Sequence, residues 1–318
     1  MKTYQCEICQ SFGNEVLFIN EKMFGTEKPF KYIHCSTCDC LQIVEKIEDI
    51  SEFYPQDYYS FQNQQNIFRK IKSLLENYLL KYVALMEMGY PNLIGKIAMQ
   101  VKEHYEYCFK WLSKLDYNKD AMILDVGCGG GELLKRLTFL GYNNLYGVDP
   151  FIEKDIIKHD YKIEKRHLYE LDGEYDLIML HHSFEHMEKP HNVLSHLRKI
   201  LKNDGTLLIR IPIIDSLAYK EYVTNWFQLD APRHLFLYSI KSMEFLLNEH
   251  NLYIKEVVYD STSKQFLYSE KYKNGYALND LNYNFSRKKS KYYRNLARQL
   301  NEVAQGDQVC LFIKKINA

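Results

Sequence analysis

Four of the eight cysteines fall in two pairs, Cys6-Glu-Ile-Cys9 and Cys35-Ser-Thr-Cys38. Two such pairs supply four thiolates, the donor set that closes a tetrahedral zinc site and leaves no position for water or substrate. A metal held there is expected to be structural, with Cys40 and His34 as neighbouring substitutes for a ligand. A second concentration of chemistry lies in HHSFEHMEKPH, residues 181–191, where His182, Glu185 and His186 spell H-x-x-E-H. On a single helix that spacing would turn two imidazoles to one face beside a carboxylate and hold a catalytic metal. A third is ILDVGCGGG, with glycines at 127, 129, 130 and 131. Such a turn lets backbone amides approach a ligand closely, and Asp149, about twenty residues on, suits hydrogen bonds from ribose hydroxyls.

Which chemistry these groups perform depends on the elements that carry them. AMILDVG (121–127) is an apolar run ending in glycines, and GELLKRLTFL (131–140) reads as the helix that follows. NLYGVDP (144–150), YDLIMLH (175–181) and GTLLIRIP (205–212) read as strands, and PHNVLSHLRKILK (190–202) as an amphipathic helix with a basic last turn. This alternation predicts an α/β fold, a parallel sheet covered on both faces. Further on, 239–250 reads as a helix, and 253–261 and 309–315 as strands. Between those strands lies a polar, Tyr-rich insertion, 262–308, with one helix expected near 286–304 and a role as a substrate cap. The reading therefore has three parts: a zinc-binding module over 1–50, a helical connector over 51–118 broken near Gly89-Tyr90-Pro91, and an α/β domain over 119–318. In this arrangement His181 and His182 directly follow a strand and Glu185-His186 fall at the turn into the next helix. The i, i+4 pairing that a zinc protease needs is then not expected.

Asp125-Val-Gly127-Cys128-Gly129-Gly-Gly131, Gly147-Val-Asp149, Tyr175-Asp176-Leu-Ile and Leu201-Lys-Asn-Asp-Gly205 occur in this order over 120–212. Together they resemble the class I S-adenosylmethionine (SAM)-dependent methyltransferases, and the acidic residue two before the first glycine favours SAM over a dinucleotide. The resemblance implies a Rossmann-like, seven-stranded sheet. It also implies that Gly127 and Gly129 line the methionine end of SAM, that Asp125 stands behind the loop, and that Asp149 holds the ribose. Leu168 is implied against the adenine, with Cys128, Pro150 and His181 in the same pocket. Tyr58 and Tyr59 either reach that pocket or pack in the core. The paired C-x-x-C module, followed by the YP…YYSF stretch and by WFQLDAPRHLFLYS (226–239), is similar to bacterial methyltransferases of sugar and polysaccharide biosynthesis, and suggests a zinc-ribbon-like module.

Methyl transfer is an in-line displacement, so the protein mainly aligns the nucleophile and removes its proton. An imidazole is the natural base for a hydroxyl near neutral pH. His234 is the first candidate and His182 the second, with His181, Glu185 and His186 close in sequence. His186 either joins the chemistry or braces the helix, and Arg233 suits a bidentate contact with a substrate phosphate or carboxylate. His191 and His196 read as solvated helix residues. The basic run SRKKSKYYRN (286–295) reads as a wet helix face or as an attractor for an anionic substrate.

The expected acceptor is a small molecule or a sugar or glycan, methylated on oxygen in preference to carbon. An rRNA or tRNA methyltransferase with a zinc module is the rival reading, and a non-catalytic adaptor the third. Lys+Arg and Asp+Glu both total 41, which weakens nucleic acid as a partner, and HHSF stands where an N/D-P-P-Y motif would be expected. The start, MKTYQCEICQ, has no apolar signal region, and the longest apolar stretch is interrupted by Glu76, Lys81 and Glu87. A cytoplasmic setting without a transmembrane segment is expected.

Overall fold

The structure, a computed structural model, describes residues 4–45, 47, 50–53, 67–87, 89–101, 111, 114, 115 and 117–316. Its first strands are β1 (Glu15–Asn20), β2 (Pro29–His34), β3 (Leu41–Ile43), β4 (Ile123–Val126), β5 (Leu145–Val148) and β6 (Ile156–Ile157). The later ones are β7 (Tyr161–Glu164), β8 (Tyr175–His181), β9 (Leu201–Pro212), β10 (Phe236–Leu237), β11 (Leu252–Tyr259) and β12 (Gln308–Lys315). The helices used below are α1 (Ile67–Glu87), α2 (Leu93–Val101), α3 (Glu132–Phe139) and α4 (Pro190–Ile200). Four more follow: α5 (Leu217–Tyr222), α6 (Ile240–Asn248), α7 (Lys264–Lys273) and α8 (Arg287–Glu302).

Contacts group the chain into two compact units, one of residues 55–181 with 199–208, the other of 1–54, 182–198 and 209–318. Their composition differs from the three-part reading of the sequence, because the Cys-rich N-terminus shares a unit with most of the C-terminal half. In the first unit the strands run in the order β9-β8-β4-β5-β7-β6. β4 pairs in parallel with both β5 and β8, and β5 in parallel with β7. The two-residue β6, which the sequence did not suggest, adds an antiparallel edge. All four residues of β4 are buried, as a strand covered on both faces requires, and Leu134 and Leu137 of α3 are fully buried as well. The predicted break at Gly89–Pro91 separates α1 from α2, with Gly89 at φ 86. The chain passes from β4 to β5 and β7 on one side, then returns to β8 on the other. That reversal makes the carboxyl ends of β4 and β8 the switch point of the sheet, where open α/β sheets bind ligands.

The other unit holds an antiparallel four-stranded sheet of order β1-β2-β3-β10 and the strands β11-β12-β9, with β11 and β12 antiparallel. Its core joins Phe30, Tyr32 and Leu41 of the N-terminal strands to Ile214, Trp226, Leu237 and Phe266. The stretch 262–308 differs from expectation twice over. It carries α7 as well as α8, and Phe266, Tyr293 and Leu300 from these helices belong to the core, so it is part of the body of the unit rather than a polar cap. The α7 helix escaped the sequence reading because it buries Gln265, Ser269 and Lys271 together with Phe266 and Tyr272, which blurs its apolar period. Among the described residues no helix is long and apolar enough to cross a membrane.

Trp226 is 1% exposed and its indole donates to Asp307 Oδ2 at 3.0 Å. Replacing it with Ala should destabilise the fold by about 3–5 kcal/mol, read as a lowered urea midpoint followed by circular dichroism.

Candidate functional site

The four cysteines of the two C-x-x-C pairs come together. Cys6 and Cys38 lie 3.6 Å apart at sulfur and Cys9 and Cys35 3.5 Å, with all four sulfurs within 4.8 Å of one another. Zinc–sulfur bonds of about 2.3 Å in a tetrahedron put sulfurs roughly 3.8 Å apart, so the cradle fits the ion closely. Each pair sits on a turn that ends in a left-handed residue, Gln10 (φ 59) and Asp39 (φ 62). The proposed substitutes stand aside: Cys40 Sγ faces the Leu41 carbonyl at 3.7 Å and His34 Nε2 pairs with Asp39 at 2.5 Å.

The glycine loop leaves the end of β4 and enters α3. Gly127, Gly129 and Gly131 have φ of 74, 52 and 73, and a Cβ at Gly131 would lie 2.1 Å from Ile163 Cδ1. Only glycine satisfies both constraints there. Asp149, one residue past β5, accepts from Gly129 N at 2.9 Å through one oxygen and from Phe151 N at 2.8 Å through the other. The carboxylate is thereby fixed at the carboxyl edge, and each oxygen retains a second lone pair. Asp125 is buried behind the loop, and burial together with the Asp149 charge pushes its carboxyl up to about 7. Burial, then the two carboxylates, also raises the Cys128 thiol, so Cys128 packs as a neutral side chain, with a Cβ on Gly147 only 2.6 Å from its sulfur. Leu168 is buried in a short 3-10 turn after β7, and Pro150 follows Asp149. His181 closes β8, its ring 5.1 Å from that of Trp111. Tyr58 and Tyr59 lie outside the described residues.

The HxxEH residues are not on one helix. His182 follows β8 in the left-handed region (φ 52), Glu185 and His186 occupy a 3-10 turn, and α4 starts only at Pro190. Sparsely populated backbone of this kind collects at functional sites. Arg210 donates to His182 Nε2 at 2.6 Å and to Asp260 Oδ2 at 2.6 Å. Since a guanidinium only donates, the His182 proton is on Nδ1, which stands 3.4 Å from Glu185 Oε1. Both ring nitrogens are thus engaged, which removes His182 as a ready base.

Glu185 is fully buried, with His182 Nδ1 3.4 Å from its Oε1. Burial opposes its ionisation, but His182, His186 and His234 outweigh it and hold the carboxyl down at about 2. His234 Nε2 lies 3.9 Å from Glu185 Oε1 and 3.9 Å from Asp230 Oδ2, while its Nδ1 donates to the Gln228 carbonyl at 2.7 Å. His186 Nδ1 donates to the Arg233 carbonyl at 2.8 Å, and the two rings meet edge to face with centroids 4.7 Å apart. Burial, then the neighbouring His186, lowers His234 to about 4, so its imidazole is neutral at pH 7.

Arg233 does not reach out to a substrate. Its guanidinium is buried and donates to Asp230 Oδ1 at 2.7 Å, to Glu21 Oε1 at 3.0 Å and to the Phe53 carbonyl at 3.2 Å. It therefore acts as an internal clamp. His191 likewise differs from the solvated residue expected: its Nε2 donates to the Ile8 carbonyl at 3.0 Å, inside the first cysteine turn. Lys289, in the basic run of α8, pairs with Glu270. Sequence reasoning missed Glu21, Arg210, Asp260 and Tyr32, whose hydroxyl donates to the His234 carbonyl at 2.9 Å. Arg210 alone left a signal, a lone charge in the apolar strand LLIRIP.

A family model described as a methyltransferase domain matches residues 98–257. A ubiquinone biosynthesis O-methyltransferase of Rickettsia bellii is 26% identical over 202 residues, covering 57% of this chain and 78% of that protein. Among solved structures, the Haloferax volcanii complex of the Trm112 methyltransferase activator with a methyltransferase aligns at TM-score 0.48 and 16% identity, over 70% of this chain and 93% of that one. An O-methyltransferase from a Brevibacillus brevis trans-AT polyketide synthase, complexed with S-adenosyl-L-homocysteine, aligns at TM-score 0.42 and 16% identity, over 69% and 75%.

Glu21→Ala removes one of the two carboxylates that hold the buried Arg233, leaving Asp230 as its counter-charge, and should cost about 1–3 kcal/mol, visible in the urea midpoint. Asp125 tests the loop electrostatically. Its folded carboxyl, at about 7, lies above the ordinary 3.8, so the unfolded chain loses this proton first as pH rises. Its contribution to stability therefore falls between about pH 4 and pH 7, and Asp125→Asn should flatten that part of the stability-versus-pH curve.

Proposed function

The chain belongs to the methyltransferase-domain family, and on that footing we propose that it moves the methyl group of SAM to a hydroxyl oxygen of a small-molecule or sugar acceptor. The observation that carries the reading is the Gly127–Gly131 turn with Asp149 fixed beside it at the carboxyl edge of parallel strands. Gly129 and Asp149 hold the methionine and ribose ends, and Asp125 supports the turn from behind. SAM supplies the electrophilic methyl on a sulfonium, with its leaving group already built in.

The residues that handle the acceptor are Glu185, His186 and His234. A hydroxyl becomes a competent nucleophile only as its proton leaves. A buried anion among imidazoles, one of them neutral at pH 7, is suited to that task. The relatives named as O-methyltransferases support oxygen over carbon as the atom methylated. The four thiolates hold a structural zinc, and Arg233 and Tyr32 keep the His234 loop in place from the cysteine-rich strands.

Calorimetry with S-adenosylhomocysteine tests the cofactor half: the wild type should bind, and Asp149→Ala should weaken binding by about tenfold or more. For the acceptor half, radiolabelled methyl transfer to a panel of hydroxyl compounds should fall by roughly 100-fold or more in His234→Ala, with S-adenosylhomocysteine binding kept. A wild type that does not bind S-adenosylhomocysteine, or a His234→Ala enzyme with normal turnover, overturns the corresponding half.

A further inference from the structure

We propose that Arg210 and Asp260 are positioning residues of the acceptor site: Asp260 fixes the Arg210 guanidinium, which sets the tautomer of His182 and so keeps an N–H turned on Glu185. Asp260, one residue past β11, is 1% exposed. Its Oδ1 accepts from Gln308 Nε2 at 2.7 Å and its Oδ2 from Arg210 Nε at 2.6 Å. The guanidinium fork is planar and rigid, so a bond at Nε fixes where its terminal nitrogens point. One of them, Nη1, donates to His182 Nε2 at 2.6 Å. Arg210 holds the His182 backbone as well, since its carbonyl accepts from His182 N at 2.9 Å.

A simple ion pair would account for Asp260 and Arg210 as two charges that neutralise each other. The histidines show that more is arranged. His186 and His234 give an Nδ1 proton to backbone carbonyls, whereas His182 receives one from Arg210 and keeps its own for Glu185. His182 Nδ1 stands 3.4 Å from Glu185 Oε1. His234 Nε2, 3.9 Å from the same oxygen, offers a lone pair because that neutral ring carries its proton on Nδ1. His182 is also in the left-handed region (φ 52), backbone that persists where its surroundings over-determine it.

Moving the His182 proton to Nε2 would turn the Nδ1 lone pair on the carboxylate. Glu185 would then be relieved by taking up a proton and donating it to Nδ1, and would pass from anion to neutral acid at a higher pH. The titratable groups around Glu185 are His182 after β8, His186 from its own turn, and His234 and Tyr238 from the 230–239 stretch. What the anion does for an acceptor hydroxyl rests on the methyl-transfer reading. The tautomer of His182 does not.

Arg210→Lys separates the two roles, because a lysine keeps the ion pair with Asp260 but has no fork to aim at His182. The full chain, isotopically labelled at its histidine nitrogens, is followed at neutral pH by long-range proton–nitrogen correlation spectra. His182 is assigned from the signals that vanish in His182→Gln. In the wild type it is expected as a neutral ring protonated on Nδ1. Arg210→Lys should bring in the Nε2–H form as a major species, and Asp260→Asn the same change; if circular dichroism shows Asp260→Asn unfolded, Arg210→Lys decides alone. A wild-type ring protonated on Nε2 or on both nitrogens, or unchanged His182 signals in Arg210→Lys, overturns the proposal. In radiolabelled methyl transfer Arg210→Lys should lose about tenfold in kcat and move the acid limb of the pH profile up by about one unit, with S-adenosylhomocysteine affinity kept. A wild-type pH profile in that variant overturns the role in transfer. A wild type that fails to bind S-adenosylhomocysteine sinks the methyl-transfer reading instead, and the tautomer spectra still decide the positioning.

Discussion

A guanidinium cannot lose its charge inside a protein, so burying one obliges the surrounding chain to supply partners. Arg233 sets that condition here. Its donors take Asp230 from the same loop, Glu21 from the β1–β2 connection and the carbonyl of Phe53. Glu21 in turn accepts from the amides of Phe24 and Thr26, which shapes the connection around it. The loop that carries His234 is thus fastened at its charged end to the N-terminal strands. Tyr32 fastens it again through the His234 carbonyl, and Leu235 N a third time through the Glu185 carbonyl.

With the backbone held, the side-chain chemistry follows by exclusion. Arg210 donates to one nitrogen of His182, and carbonyls accept from one nitrogen each of His186 and His234. Every imidazole in the neighbourhood of Glu185 therefore has its proton placed by a neighbour that can only donate or only accept. The cluster is ordered in protonation as well as in position. This differs from a proton relay, in which tautomers would need freedom to exchange.

Much of the frame was legible in the sequence because its signals are local. YDLIMLH begins and ends as β8 does, and the glycines that let the chain turn after β4 stand in the order the turn uses them. The cysteine pairs were legible for the same reason, since a C-x-x-C turn closes on itself. What escaped is nonlocal. Arg233 in APRHL reads as a cation for a substrate because only Asp230 is near it in sequence, and its other carboxylate, Glu21, lies more than two hundred positions away. The α7 helix escaped because it buries polar residues among apolar ones, and Ser269 takes a hydrogen bond from Phe227 N, 42 positions away. His182 read as a base from its residue type and its place at the end of a strand, and only the side chain projecting from β9 shows its second nitrogen to be taken.

The last strand of the N-terminal sheet, β10, comes from Phe236–Leu237, and Ser239 just beyond it donates to the carbonyl of Cys38. The cysteine-rich segment thus has no closed edge of its own. Cut away as a fragment it would present β3 as an unpaired border, the sort of border that recruits foreign strands. It follows that this segment is not a cassette. A chimera that grafts it onto another methyltransferase must carry the 226–239 loop along with it.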